Sequence, residues 1–186
     1  ATAKKFANSC YLRVKQFIFD DLTKMRPEYN IYSSDGDSKI TQEGNEYSFF
    51  IHPVDGLINL SRAINEFSIA ISLSHHNDDS STESISCVTH KVIGGDLYYA
   101  EKGFGSFLNN RKIRIANSKK EAKLIGHTAS KDNTFQNKPL INRSFGCKTL
   151  EIAYLASGKI DYLEIENDKL KNYEPFFLIA AQSGAK

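Results

Sequence analysis

Five consecutive residues, His52-Pro53-Val54-Asp55-Gly56, interrupt an apolar run that enters at Phe49 and resumes at Leu57. A carboxylate and a glycine at the end of a strand can do two kinds of chemistry. Asp55 offers oxygens suited to a hard cation. Gly56 lets the backbone approach a ligand, and the N–H groups of Gly56, Leu57 and Ile58 would face an anion if a helical turn starts there. The plainer alternative is a tight turn stiffened by Pro53, with Asp55 capping the next element. On this stretch alone both stay open. Other polar groups carry less. His75-His76 with Asp78-Asp79 lie in "HHNDDSSTES", which reads as a surface loop. Cys147 reads as a small packing residue, and Tyr98 and Tyr99 as ordinary strand residues.

The elements that must hold this turn are mixed. Cys10, Val14, Phe17, Ile18, Leu22 and Met25 recur with helical periodicity, and Pro27 closes that helix. "NIYSSDGDS" reads as a short strand entering a turn, "EYSFFI" as the strand that delivers His52, and "FSIAISLS" as its neighbour. "ISCVTHKVIGGDLYYAEKGFGSFLNNRKI" reads as a meander with turns at Gly94-Gly95 and Asn109-Asn110. A short helix is expected near 118–122 and polar, irregular chain over 127–139. Residues 147–157 should form a helix ending at Gly158, then a strand, "KIDYLEIE", then a last helix starting at Pro175.

The 186 residues suit one domain, expected to span 1–186 with sequence missing at its ends and with internal gaps. A net charge of +2, with Lys and Arg scattered, gives no pull toward nucleic acid or an anionic membrane. Three distant cysteines without a CxxC pair suggest reduced chemistry, and no apolar stretch approaches membrane-spanning length. The expected location is the cytoplasm.

"FFIHPVDGLINL" resembles the "WIIDPIDGTTNF" signature of the inositol monophosphatase family. "GGDLYYAEKGFGSFLNNRKIRIA", "GCKTLEIAYLASGKIDYLEI" and "LKNYE" resemble further blocks of that family, in family order and over most of the chain. The bacterial SuhB-type group, the extragenic suppressor proteins, is nearest in character. The resemblance implies an α/β, layered α+β fold, an α/β/α/β/α sandwich. It also implies magnesium dependence, hydrolysis of small phosphomonoesters, and a homodimer.

The resemblance assigns metal-ligand positions to Asp35, His52, Val54 (through its carbonyl), Asp55 and Glu174. It assigns phosphate contacts to Gly56 and Leu57, and substrate contacts to Arg143, Gly146, Cys147 and Glu164, with Glu166 as an alternative to the last. The stretch between Gly126 and Arg143 is shorter than the family's. Four departures stand out. His52 replaces an aspartate that bridges two metals, and a neutral imidazole has one acceptor nitrogen and cannot bridge. Leu57 replaces a threonine that holds the attacking water, and Tyr11 replaces that threonine's partner aspartate. Pro175, Phe176 and Phe177 replace small residues of the last helix; they either fill former ligand space or simply repack the core.

General-base assistance contributes about 10²–10⁴-fold in rate, so its loss predicts a weak or inactive hydrolase. At most one divalent metal is expected, on His52, Asp55 and Glu174. The alternatives are a non-catalytic SuhB-type protein acting through protein or RNA partners, and a phosphatase rebuilt around a single metal. SuhB-type members are linked to transcription and ribosome assembly, though this chain's charge gives RNA no special support.

Overall fold

The computed structural model describes residues 2–41, 44–79, 81–115, 123–128, 134–135, 138–167 and 169–186. The chain opens with a long helix, α1 (Thr2–Met25). Then come β1 (Asn30–Ser33), β2 (Ser38–Lys39), β3 (Tyr47–Asp55), α2 (Leu57–Ser61), β4 (Ser68–His76), β5 (Thr82–Lys91), β6 (Leu97–Glu101), β7 (Gly105–Leu108) and β8 (Arg111–Ile113). The second half supplies β9 (Leu124–His127), β10 (Thr134–Phe135), β11 (Lys138–Asn142), α3 (Lys148–Ala156) and β12 (Tyr162–Leu163). It ends in α4 (Leu170–Tyr173), a 3₁₀ turn (Glu174–Phe176) and α5 (Phe177–Ser183).

One sheet has eight strands in the order β2-β1-β3-β4-β5-β6-β7-β8, and β1 runs parallel to β3 within an otherwise antiparallel array. A second, smaller sheet has the order β10-β11-β9-β12. The period-2 alternation of β3 and β4 sends side chains to two cores. Phe49, Ile51, Ile69 and Ile71 meet Ile18 and Leu22 of α1 on one face. Phe50 and Ala70 meet α3 and α5 on the other, with Leu150, Ala153, Phe176, Ile179 and Ala180. The second sheet joins that inner core through Ile125 and Leu163. Four layers of the expected sandwich are thus described: α1 with α2, the large sheet, α3 with α5, and the small sheet. Among the described residues no helix is long and apolar enough to cross a membrane.

Several elements differ from expectation. The inward stripe of α1 is Ala7, Ile18 and Leu22, with Tyr11 and Lys15 on the same helical spacing; Phe17 and Met25 are each 69% exposed. His75 and His76 belong to β4, opposite Glu83 and Thr82, because the hairpin arms continue and leave only a short connection. "KIDYLEIE" is strand only at Tyr162–Leu163. The last helix is prefaced by α4 and the 3₁₀ turn, where Pro175 sits near the start and has no N–H to donate. The helix expected near 118–122 lies outside the described residues, as does much of 127–139; the described part of that stretch is largely strand rather than irregular chain, in β9, β10 and β11.

Candidate functional site

β3 carries the site, and an irregularity aims it. The register passes from His52 opposite Ala70 to Asp55 opposite Ser68, so β3 spends three steps where β4 spends two. This bulge has a consequence for every polar side chain beyond it. Strict alternation would place Asp55 on the α1 face with Ile51; the extra residue turns it inward, onto the α3 face with His52.

Asp55 there meets the start of α3. Its Oδ2 accepts the Thr149 backbone N–H at 2.7 Å and the Thr149 hydroxyl at 2.9 Å, with the Cys147 thiol at 3.4 Å. The N-cap residue of α3, Cys147, makes no side-chain cap of its own, so Asp55 caps this helix from another strand. Ser68 Oγ completes the knot, 2.6 Å from Thr149 Oγ1 and 3.2 Å from Cys147 Sγ. All of these groups are buried. Burial, with the negative field of Asp55, pushes the Cys147 thiol well above its usual pKa. Cys147 is therefore a protonated packing group.

His52 is 4% exposed. Its ring stacks on Tyr173 at 4.8 Å and meets Phe50 and Phe176 edge-on. Nε2 lies 2.7 Å from the Asn172 carbonyl. A carbonyl only accepts, so Nε2 carries a proton and donates it. Burial lowers the imidazole pKa below its usual value, against the opposing pull of Asp55 and Asn172, and the ring stays neutral. The Tyr173 hydroxyl reaches toward Asp55 Oδ1 at 3.4 Å, and burial with the field of Asp55 holds it protonated.

Asp35 lies on the turn after β1, beside the end of β3: Ser34 donates its N–H to the Ile51 carbonyl. Lys15 of α1 donates to Asp35 Oδ2 at 2.7 Å and also to Asp37. Burial works to raise the Asp35 pKa, but Lys15, Ser33, Tyr11 and the Asp37 N–H overcome it and hold it at about 2. Tyr11 is thus brought to Asp35, with its hydroxyl buried.

The carboxylate proposed as the third partner does not join them. Glu174 is exposed and lines a cleft with Lys171, Lys102 and Glu83. The reason is local: a 3₁₀ turn advances about 120° per residue, so Glu174 cannot share the side of Phe176, which is fully buried. Among the described residues, no group of three or more His, Cys, Asp or Glu side chains could hold a metal ion. The donor set does not fit a magnesium cluster. His52 contributes no charge and donates to a carbonyl, Asp55 caps a helix, and Asp35 is paired with an ammonium. Val54, whose carbonyl was assigned to a metal, sits inside the bulge.

Gly56 is required for a different reason from the expected one. Its φ is +82°, and an added Cβ would stand 2.7 Å from the Glu66 carbonyl and 3.2 Å from Cys147 Cβ. The close approach is to the chain itself. Leu57 opens a helix of only five residues. Gly146 packs against Asn59, whose side chain donates to the Glu66 and Phe145 carbonyls at 2.6 and 2.7 Å. Arg143 is exposed at the end of β11. Glu164 accepts from Thr128 Oγ1 at 2.7 Å, and Glu166 pairs with Lys169 at the surface.

Sequence reasoning missed Lys15, Asn59, Ser68, Thr149 and Glu151. Glu151 is fully buried, accepts the Phe145 and Gly146 N–H groups, and pairs with Lys148. A signal existed for Lys15, which follows Tyr11 by four residues on the inward stripe. One existed for Glu151 too, an acidic residue in the first turn of α3.

The model of the inositol monophosphatase family matches residues 2–173. The chain is 26% identical over 200 residues to an inositol-1-monophosphatase of Caulobacter vibrioides, covering 99% of this chain and 75% of that one. It is 28% identical over 173 residues to the Nus factor SuhB of Buchnera aphidicola, covering 86% of this chain and 63% of the relative. It is 27% identical to a fructose-1,6-bisphosphatase/inositol-1-monophosphatase of Thermotoga maritima, of whose length it spans 57%. Among solved structures, the extragenic suppressor protein SuhB of Bartonella henselae superposes with a TM-score of 0.78 at 24% identity, over 98% of this chain and 80% of that one. The Thermotoga maritima IMPase gives 0.66 at 26% identity, over 80% and 58%.

Proposed function

The chain belongs to the inositol monophosphatase family, and from that premise we propose that it is a phosphomonoesterase by descent whose own hydrolytic power is weak or absent. The observation that carries the proposal is His52. A neutral imidazole, buried and stacked on Tyr173, stands where the family pattern has a metal-bridging carboxylate. The substitutions at Leu57 and Tyr11 act in the same direction, since neither can activate a water. By family, the substrate class is inositol phosphate or a similar small phosphomonoester, with magnesium as the cation, and the scaffold is a homodimer. The test is release of phosphate from inositol 1-phosphate in excess magnesium. Turnover near background is expected, and robust magnesium-dependent turnover would overturn the proposal.

The relatives named Nus factor SuhB favour a second reading, in which the scaffold binds a protein or RNA partner without catalysis. Fold does not carry function where the site is altered. Retention of a defined partner by a chain without phosphatase activity would select this reading.

A further inference from the structure

The turn Ser33–Asp37 holds two carboxylates beside the end of β3 and within reach of α1. Two hydroxyls converge on the same corner. Ser33 is 4% exposed, and its Oγ and the Tyr11 hydroxyl are buried beside Asp35, near enough to favour its ionised form but without a well-formed hydrogen bond among the described residues. Carboxylates backed by buried, underused oxygens are the furniture of a cation site. The cation in place is Lys15. Its side chain is 13% exposed, its ammonium touches Asp35 Oδ2 and Asp37 Oδ2, and it lies 5.7 Å from the centre of the Tyr11 ring. The helix that presents it is long and is anchored on the sheet by Ile18 and Leu22. The ammonium is therefore delivered at a fixed depth.

We infer that this corner is a cation site whose cation is the chain's own Lys15 ammonium, which satisfies Asp35 and Asp37 and keeps divalent ions out. A strongly hydrated dication would have to displace Lys15 or sit beside a like charge in a half-buried corner, and either course is costly. A tethered cation also needs no supply from solution, so the docking of α1 on the Ser33–Asp37 turn becomes independent of metal concentration. The inference rests on the reading of the site as unsuited to metal, and its test is separate from that reading. A chain that is inactive for other reasons gains no metal affinity when Lys15 is removed.

The experiment compares the wild-type chain with Lys15→Ala, Lys15→Gln and Lys15→Arg. Manganese is the probe, read by paramagnetic broadening of backbone amides and by the shift in melting temperature on adding metal or chelator. In the wild type and Lys15→Arg, residues 33–37 should not broaden selectively and neither additive should move the melting point. In Lys15→Ala or Lys15→Gln, whichever folds, manganese should broaden residues 33–37 with an affinity raised on the order of tenfold or more, and should raise the melting temperature by mass action. Selective broadening of that turn in the wild type would overturn the inference. So would a folded Lys15→Ala or Lys15→Gln protein with no gain in manganese binding.

Discussion

Replacing Asp55 tests whether its carboxylate is structural. In Asp55→Ala the N–H and hydroxyl of Thr149 lose their shared acceptor in a buried place. A lost N-terminal cap costs about 0.5–2 kcal/mol. An unsatisfied buried polar group costs about 1–3 kcal/mol, but Ser68 Oγ, 2.6 Å from Thr149 Oγ1, offsets part of that. The sum is about 2–4 kcal/mol of stability. In a chain of this size 1 kcal/mol moves the melting temperature by about 2–4 °C, so a drop of roughly 5–15 °C is expected. Asp55→Asn keeps one oxygen acceptor and loses the charge, which makes it milder, about 1–2 kcal/mol. The assay is thermal and urea unfolding followed by circular dichroism in metal-free buffer. A carboxylate kept only to bind a cation behaves oppositely, because removing such a residue commonly stabilises the fold. If either variant melts at or above the wild type, the cap assignment is wrong.

Three more outcomes are expected from the same geometry. Gly56→Ala meets the Glu66 carbonyl at 2.7 Å with φ at +82°, so it should lose about 2 kcal/mol or more in urea unfolding. Native thiol titration with a disulfide reagent should show one accessible group, Cys10, and all three cysteines in denaturant; Cys87 is buried with its pKa pushed up to about 12, and the buried Cys147 thiol is also raised, by burial and Asp55. Stability should fall with acid in two steps. The folded His52 pKa lies below its usual 6.5, so the native state binds fewer protons than the unfolded one, and its contribution is complete above 6.5 and fades as pH falls through the folded value. Asp35 contributes fully above 3.8 and loses its share as pH drops toward its folded value of about 2. Unfolding free energies from neutral pH to strong acid, measured also on His52→Phe, should show the upper step vanish in that variant alone.

The layered α/β fold was legible through the resemblance of the motif blocks to a known family, and part of its elements through their periodicity. The helical spacing of Ile18 and Leu22 names a buried face that packs as read, whereas Phe17 and Met25 of the same stripe are exposed. The site was legible as positions but less so as contacts. The sequence presents Asp55 as a free carboxylate after a strand, yet its partners come from Thr149 and Cys147, 94 and 92 residues away. Whether Asp55 faces them depends on a bulge between His52 and Asp55, a register event that no periodicity reports. The trio with Glu174 failed because it took alignment for adjacency. The phase of a 3₁₀ turn and the burial of Phe176 decide where Glu174 points.

The residues of the candidate site are consistent with one another in charge. A site built for dications collects carboxylates that repel one another until metal arrives. Here each position is already settled by the chain. His52 is neutral and donates to a backbone carbonyl, Asp55 has the N-terminus of α3, and Asp35 and Asp37 have Lys15. Each member holds its own partner, so changing one leaves the others with the partners they now have. Restoring a carboxylate at His52 would place it in an aromatic pocket beside Asp55, facing the Asn172 carbonyl rather than a donor. The neutral ring of His52 and the Lys15 pairing act in the same direction: the first brings no charge to call for a metal, and the second offsets part of the charge of Asp35 and Asp37.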